Sequence, residues 1–68
     1  MNETIEQQER DSDIIFTAIS TSGARDFTEA NRMVVAFYVE DRSISRAGIS
    51  HALKRLERHY EALAVNGD

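Results

Sequence analysis

The last third of the chain places hydrophobic residues along one face of an α-helix. At 100° of rotation per residue, seven side chains fall within a sector of about 120°. They are Ile49, Ala52, Leu53, Leu56, Tyr60, Leu63 and Ala64. Ser43 or Ser45 can cap the start of this helix. The pattern predicts a long C-terminal helix that runs to about Val65 and ends at Asn66-Gly67-Asp68.

A short first helix is predicted from about residue 13 to residue 21. N-cap residue types at positions 11–13 precede the hydrophobic run that starts at Ile14, and Ser22-Gly23 ends it. The residues expected to face inward are Ile15, Ala18 and Ile19. Residues 1–11 have little hydrophobic surface to bury, so we expect them to fray or to form an exposed turn of helix. They would make a flexible acidic N-terminus before a single domain over residues 12–68.

A second helix is predicted between residues 28 and 40. Asp26 and Glu29 have the spacing of a capping box, in which an N-cap side chain and a Glu three positions later satisfy backbone N–H groups. The run 33–39 is almost continuously hydrophobic, so periodicity alone also permits a buried strand there. We therefore expect an all-α fold of three or four helices, with a small α+β fold as the alternative.

Length and composition exclude several classes of protein. A chain of 68 residues makes one domain, and a domain of this size buries only about 60% of its unfolded surface, so a partner subunit would help to stabilise it. The chain has no cysteine, which removes disulfides, thiolate metal sites and cysteine nucleophiles. No hydrophobic run approaches the length of a membrane span and the N-terminus is not signal-like, so we expect a cytoplasmic protein.

Positive charge is concentrated in one segment, although the net charge is −4. Residues 1–41 contain three basic and nine acidic side chains, whereas residues 42–59 contain five basic side chains and one acidic side chain. On the predicted last helix, four of the polar residues lie opposite the hydrophobic face: His51, Lys54, Arg55 and Arg58. Such a local cationic surface is typical of proteins that bind nucleic acid, and the alternative is an ordinary solvated helix face.

The run 44–57 resembles the recognition-helix half of helix-turn-helix regulators. It is similar to the LysR-type motif, and it resembles even more the KorA/TrfB-type plasmid repressors at seven positions: Ile44, Ser45, Arg46, Ala47, Gly48, Ile49 and Ser50. Laid over residues 35–54, the motif implies a small helix-turn-helix domain with its turn at Ser43-Ile44. Val39 would then stand where the two helices of the motif cross closely, at a site where Ala is usual.

The resemblance also implies roles for individual side chains. Arg46 is the best candidate to read a base, because a guanidinium can bind guanine O6 and N7 together. The residues expected to contact bases are Ser45, Arg46, Ala47, Ser50 and His51. Those expected to contact phosphates are Arg42, Lys54, Arg55 and Arg58.

The end of the predicted last helix suggests a second surface. Tyr60, Leu63 and Ala64 continue the hydrophobic face beyond the length that a recognition helix uses, so we expect a homodimer contact there. His51 and His59 have no metal-ligand partners at suitable spacing, and no motif indicates a metal, a cofactor, a catalytic residue or a small-molecule substrate.

Two functions fit these observations best, and a structural subunit of a larger assembly is a third possibility. The first is a sequence-specific transcriptional regulator that binds double-stranded DNA as a homodimer, a repressor of the plasmid or phage kind, and neither an enzyme nor a membrane protein. The alternative is a small acidic helical protein that binds another protein and inhibits or adapts it, as phage inhibitors do. The acidic first half of the chain would provide the binding surface in that case.

Overall fold

Three helices make up the fold in the computed structural model, which describes residues 4–41 and 43–66. They are α1 (Ile5–Ser20), α2 (Phe27–Glu40) and α3 (Arg46–Asn66). No strand occurs within these described ranges, and the ambiguous run 33–39 belongs to α2. The prediction of an all-α domain with a long C-terminal helix is therefore confirmed, and the α+β alternative is excluded. Arg42, a predicted phosphate contact, lies outside the described residues.

α1 begins much earlier than the sequence pattern predicts. The N-cap is Thr4, whose hydroxyl oxygen accepts a hydrogen bond of 3.0 Å from the backbone N–H of Gln7. Asp11 and Ser12, which were expected to precede the helix, are buried in its middle. Residues 5–11 therefore form the first turns of α1, and the predicted helix start at about residue 13 is wrong. The additional turns of α1 pack against the start of α3 through polar side chains such as Asp11. A search for periodic hydrophobic residues does not detect a contact of this kind.

The start of α2 agrees with the predicted cap. The Asp26 carboxylate accepts a hydrogen bond of 2.9 Å from the backbone N–H of Glu29. The reciprocal half of the capping box is displaced by one residue, because the Glu29 carboxylate accepts from the backbone N–H of Arg25 at 3.4 Å. At the other end of α2, the Asp41 carboxylate accepts hydrogen bonds from the hydroxyl and the backbone N–H of Ser43, which shapes the turn into α3.

The core lies between α1 and α3, with α2 packed along one side of the pair. Its buried hydrophobic residues are Ile15, Ile19, Ala30, Val34, Ile44, Ala52, Leu56 and Tyr60. α1 and α3 run in the same direction: Asp11 meets Ser45 near one end, and near the other end the Tyr60 hydroxyl donates a hydrogen bond of 3.0 Å to the Ala24 carbonyl. The surface of α3 that faces away from α1 and α2 remains open.

α1 and α3 approach each other closely at Gly48. A Cβ at this position would lie 2.6 Å from the Asp11 Cβ and 2.8 Å from the Ser45 Oγ, so only glycine fits. The resemblance to helix-turn-helix proteins had placed a close crossing at Val39 instead. Val39 is 60% exposed, so that expectation is wrong.

No helix of the described part of the chain is long and apolar enough to cross a membrane.

Candidate nucleic-acid interface

The outer face of α3 carries most of the residues that the sequence predicts to contact DNA. Gly48, Ala52 and Leu56 are buried and define the inner face of this helix. Five of the predicted contacts are exposed, and the helical rotation places them on the outer side: Arg46, Ser50, His51, Lys54 and Arg58. Ala47 lies on the same side and is half-buried. We call these six residues the outer face of α3.

Ser45 does not belong to this surface. It is 6% exposed and immediately precedes α3. Its hydroxyl oxygen accepts a hydrogen bond of 3.0 Å from the backbone N–H of Gly48, and its own backbone N–H donates to Asp11 at 2.9 Å. The prediction that Ser45 contacts a base is therefore wrong, because its side chain serves as the N-cap of α3.

Arg55, a predicted phosphate contact, is held by α1 instead. Its guanidinium forms an ion pair with Asp13 at 2.5 Å and donates a hydrogen bond of 3.1 Å to the Ser12 hydroxyl. The guanidinium carbon also lies 4.5 Å from the centre of the Phe16 ring, in a cation–π contact. A phosphate group would have to compete with all three partners. Arg55 therefore docks α1 onto α3, and its predicted role in binding DNA is not supported by this geometry.

Acidic side chains of α1 border one side of the outer face. α1 carries four acidic residues (Glu6, Glu9, Asp11 and Asp13) and one basic residue (Arg10), a net charge of −3. His51 shares a shallow groove with Glu9 and Asp13. α3 carries four basic and two acidic residues, a net charge of +2. An anionic ligand would therefore approach along Lys54 and Arg58 and keep away from α1.

The turn before α3 adds one more fixed negative charge. The hydrogen bonds from the Ser43 side chain, and then from its backbone, lower the pKa of the Asp41 carboxyl. The carboxyl is therefore ionised at neutral pH, close to the first turn of α3. This charge lies at the start of α3, whereas the carboxylates of α1 lie along one side of the outer face.

The predicted dimer residues divide into one buried and two exposed side chains. Tyr60 is 8% exposed and belongs to the core of its own chain, because its ring packs in the core and its hydroxyl bonds to Ala24. Tyr60 is therefore not part of an exposed interface, and that part of the prediction is wrong. Leu63 is 51% exposed, and it lines an open groove together with Ala64 and Phe27.

The two histidines lie in different surroundings. His59 is half-buried and makes edge-on contacts with the rings of Phe16 and Tyr60, at centroid distances of 5.6 and 5.0 Å. Within the residues that the structure describes, no three His, Cys, Asp or Glu side chains converge on a common point. His59 is thus a packing residue of the α1–α3 contact.

The residue that sequence reasoning missed is Asp11. Its carboxylate is 2% exposed and reaches the start of the helix that carries the outer face. The positions Gln8, Asp11, Ser12, Ile15 and Ile19 do recur at helical spacing, and only the first three are polar. Extending the helical period into the polar segment would have indicated that α1 starts earlier.

Comparisons of this chain with protein-family models, curated proteins and solved structures return no match.

Proposed function

We propose that this protein is a small DNA-binding transcriptional regulator, a repressor of the plasmid or phage kind, that presents the outer face of α3 to the major groove. The observation that carries the proposal is the row Arg46, Ser50, Lys54 and Arg58, which is exposed along one side of a helix whose other side is buried. A single α-helix fits the major groove, which is about 12 Å wide. The proposal implies a cytoplasmic location.

The proposed contacts follow from the chemistry of each side chain. Arg46 reads guanine through two parallel hydrogen bonds, Ala47 accepts a thymine methyl group, and Ser50 bonds to a base edge. His51 lies on the side that borders α1, next to Glu9 and Asp13, and bonds to a base edge. Lys54, Arg58 and Arg42 bind phosphates. With three phosphate contacts, the logarithm of the binding constant should fall with the logarithm of salt concentration with a slope of about −2.7, since each contact contributes about −0.9.

The experiment is a mobility shift on mixed genomic DNA fragments at low and at moderate salt. The variant combines Arg46→Ala with Lys54→Ala, and we expect it to lose binding. Its matched control combines Arg25→Ala with Arg32→Ala, which removes the same charge from exposed positions outside the outer face. Circular dichroism checks that both variants remain helical. Equal loss of binding in both variants would indicate general electrostatics and would contradict a recognition role for α3.

A second candidate function follows from the acidic surface of α1. Glu6, Glu9 and Asp13 are exposed on one helix with a net charge of −3, which suits a basic surface on another protein. This function predicts no DNA binding at low salt, or DNA binding that the Arg46 and Lys54 substitutions leave unchanged. The mobility-shift experiment therefore distinguishes the two functions.

A further inference from the structure

An open groove lies between the start of α2 and the second half of α3. Half of its lining is hydrophobic, and the other half consists of three acidic residues and one basic residue. The hydrophobic residues are Phe27, Tyr60, Leu63 and Ala64, and the charged residues are Asp26, Glu57, Glu61 and Arg25. We call these eight residues the terminal groove. Leu63 and Ala64 are exposed, so the groove offers hydrophobic surface beside a net charge of −2.

The negative charge of the terminal groove is available to a ligand. Asp26 caps α2 through its carboxylate. Glu57 and Glu61 are exposed, and they form no hydrogen bond or ion pair with Lys54, Arg58 or any other residue that the structure describes. They lie four residues apart on α3, where two like charges repel each other. A cation placed beside both carboxylates would relieve this repulsion.

We propose that the terminal groove binds a basic amphipathic helix of another protein. An amphipathic helix commonly places its hydrophobic face in a hydrophobic groove of its partner. The hydrophobic side chains of such a helix would contact Phe27, Leu63 and Ala64. Lys or Arg side chains beside them would pair with Glu57 and Glu61, so the charges of the two surfaces would be complementary.

Two other occupants suit the terminal groove less well. A nucleic acid would bring its phosphates against the carboxylates of Glu57 and Glu61, which repel them. A second copy of this chain, related by two-fold symmetry, would bring the three carboxylates of each groove close together, and only Arg25 offsets them. A basic partner is therefore the occupant whose charge complements the lining.

The terminal groove is separate from the residues proposed to read bases. At a rise of 1.5 Å per residue, Glu57 lies about 16 Å along α3 from Arg46, and Leu63 lies about 25 Å from it. Neither Arg46 nor Ser50 lines the groove. The inference goes beyond the proposed function and does not depend on it, because a chain that binds no DNA can still bind the basic helix.

The experiment measures the binding of synthetic helical peptides to the full chain by fluorescence anisotropy at low salt. The test peptide carries Leu along one face and Lys and Arg beside that face. One comparison peptide has Glu in place of every Lys and Arg, and the other has Ala in place of every Leu. We expect the test peptide to bind at least about tenfold more tightly than either comparison peptide, because each of these lacks one half of the complementary surface.

Two pairs of substitutions locate the binding site by its charge. Glu57→Gln combined with Glu61→Gln should raise the dissociation constant of the test peptide at least about threefold, since it removes two exposed carboxylates of the groove. The matched control combines Glu6→Gln with Glu9→Gln, which removes the same charge from exposed positions of α1. This control should leave the dissociation constant nearly unchanged.

A second comparison tests the hydrophobic part of the terminal groove. Leu63→Ser should weaken binding of the test peptide, because it removes an exposed hydrophobic side chain from the lining. Val65→Ser is the control, since Val65 is exposed at the same end of α3 and does not line the groove. Circular dichroism confirms that every variant is folded.

Four results would overturn the inference. The first is equal binding of the test peptide and the acidic peptide, and the second is equal effects of Leu63→Ser and Val65→Ser. The third is an equal effect of the α1 and α3 substitution pairs, which would indicate general electrostatics. The fourth is a dimer in sedimentation equilibrium that Leu63→Ser dissociates, because a second copy would then occupy the groove.

Discussion

The buried carboxylate of Asp11 accepts a hydrogen bond of 2.9 Å from the backbone N–H of Ser45, a residue 34 positions later in the chain. This bond joins the middle of α1 to the N-terminus of α3, where unpaired backbone N–H groups favour a negative charge. Gly48 lies against the same carboxyl side chain. The orientation of the outer face of α3 therefore depends on a contact that α1 makes with the opposite side of that helix.

We expect Asp11→Ala to lower the free energy of unfolding by about 1–3 kcal/mol, because it leaves the Ser45 N–H buried without its acceptor. Urea unfolding followed by circular dichroism measures the change. Asp13→Ala is the control, since it removes an exposed carboxylate of the same helix that forms a surface ion pair with Arg55. Its cost should be at most about 1 kcal/mol. A smaller effect for Asp11→Ala than for Asp13→Ala would contradict the structural role of the Asp11–Ser45 bond.

Gly48→Ala should destabilise the protein even though alanine is the better helix former. The gain in helix propensity is about 1 kcal/mol, whereas forcing a methyl group against the Asp11 Cβ costs about 1–3 kcal/mol. Ser50→Ala is the control, because Ser50 is an exposed residue two positions along the same helix, on the side that faces solvent. Thermal unfolding compares the variants. A melting temperature for Gly48→Ala above that of the unmodified protein would show that α1 and α3 are less close than described.

Arg55 and Arg58 should respond differently in the DNA-binding assay, although they are three residues apart on one helix. Arg58→Ala should make the salt slope about 0.9 less negative, because one phosphate contact is lost. Arg55→Ala should leave the slope nearly unchanged and should instead weaken the docking of α1 through Ser12, Asp13 and Phe16. Binding measured at several salt concentrations separates the two effects. If Arg55→Ala made the slope less negative and Arg58→Ala left it unchanged, Arg55 would be a phosphate contact and Arg58 would not.

The Asp41 carboxyl should titrate at lower pH in the unmodified protein than in the Ser43→Ala variant. Its pKa is lowered by the hydrogen bonds from Ser43, and the variant removes the hydroxyl, which is the larger cause. Because the pKa in the folded state is below that of the unfolded chain, the contribution to stability is present above about pH 3.9 and is lost as pH falls through the folded value. Carbon-13 chemical shifts of the carboxyl measure both titrations. Identical titration curves would contradict the Ser43 contact.

The sequence by itself determined α3 and the start of α2, because repeated hydrophobic positions and capping residues are local features. The hydrophobic face of α3 and the N-cap at Asp26 could be predicted, and Ile15 and Ile19 were correctly expected to face inward. The predicted row of exposed basic residues on α3 also follows from helical rotation alone, because the buried side of the helix fixes which side faces solvent.

Only the tertiary structure decided which polar residues belong to the interior and which hydrophobic residues stay exposed. Asp11 and Ser45 can be buried because the Ser45 backbone N–H donates a hydrogen bond to the Asp11 carboxylate across the α1–α3 contact. Arg55 turns toward α1 because its guanidinium pairs with Asp13 and lies over the ring of Phe16. These partners are distant in the chain, so local periodicity carries no information about them. Val39 remains exposed for the same kind of reason, since the position of its neighbours, and not its own hydrophobicity, determines its burial.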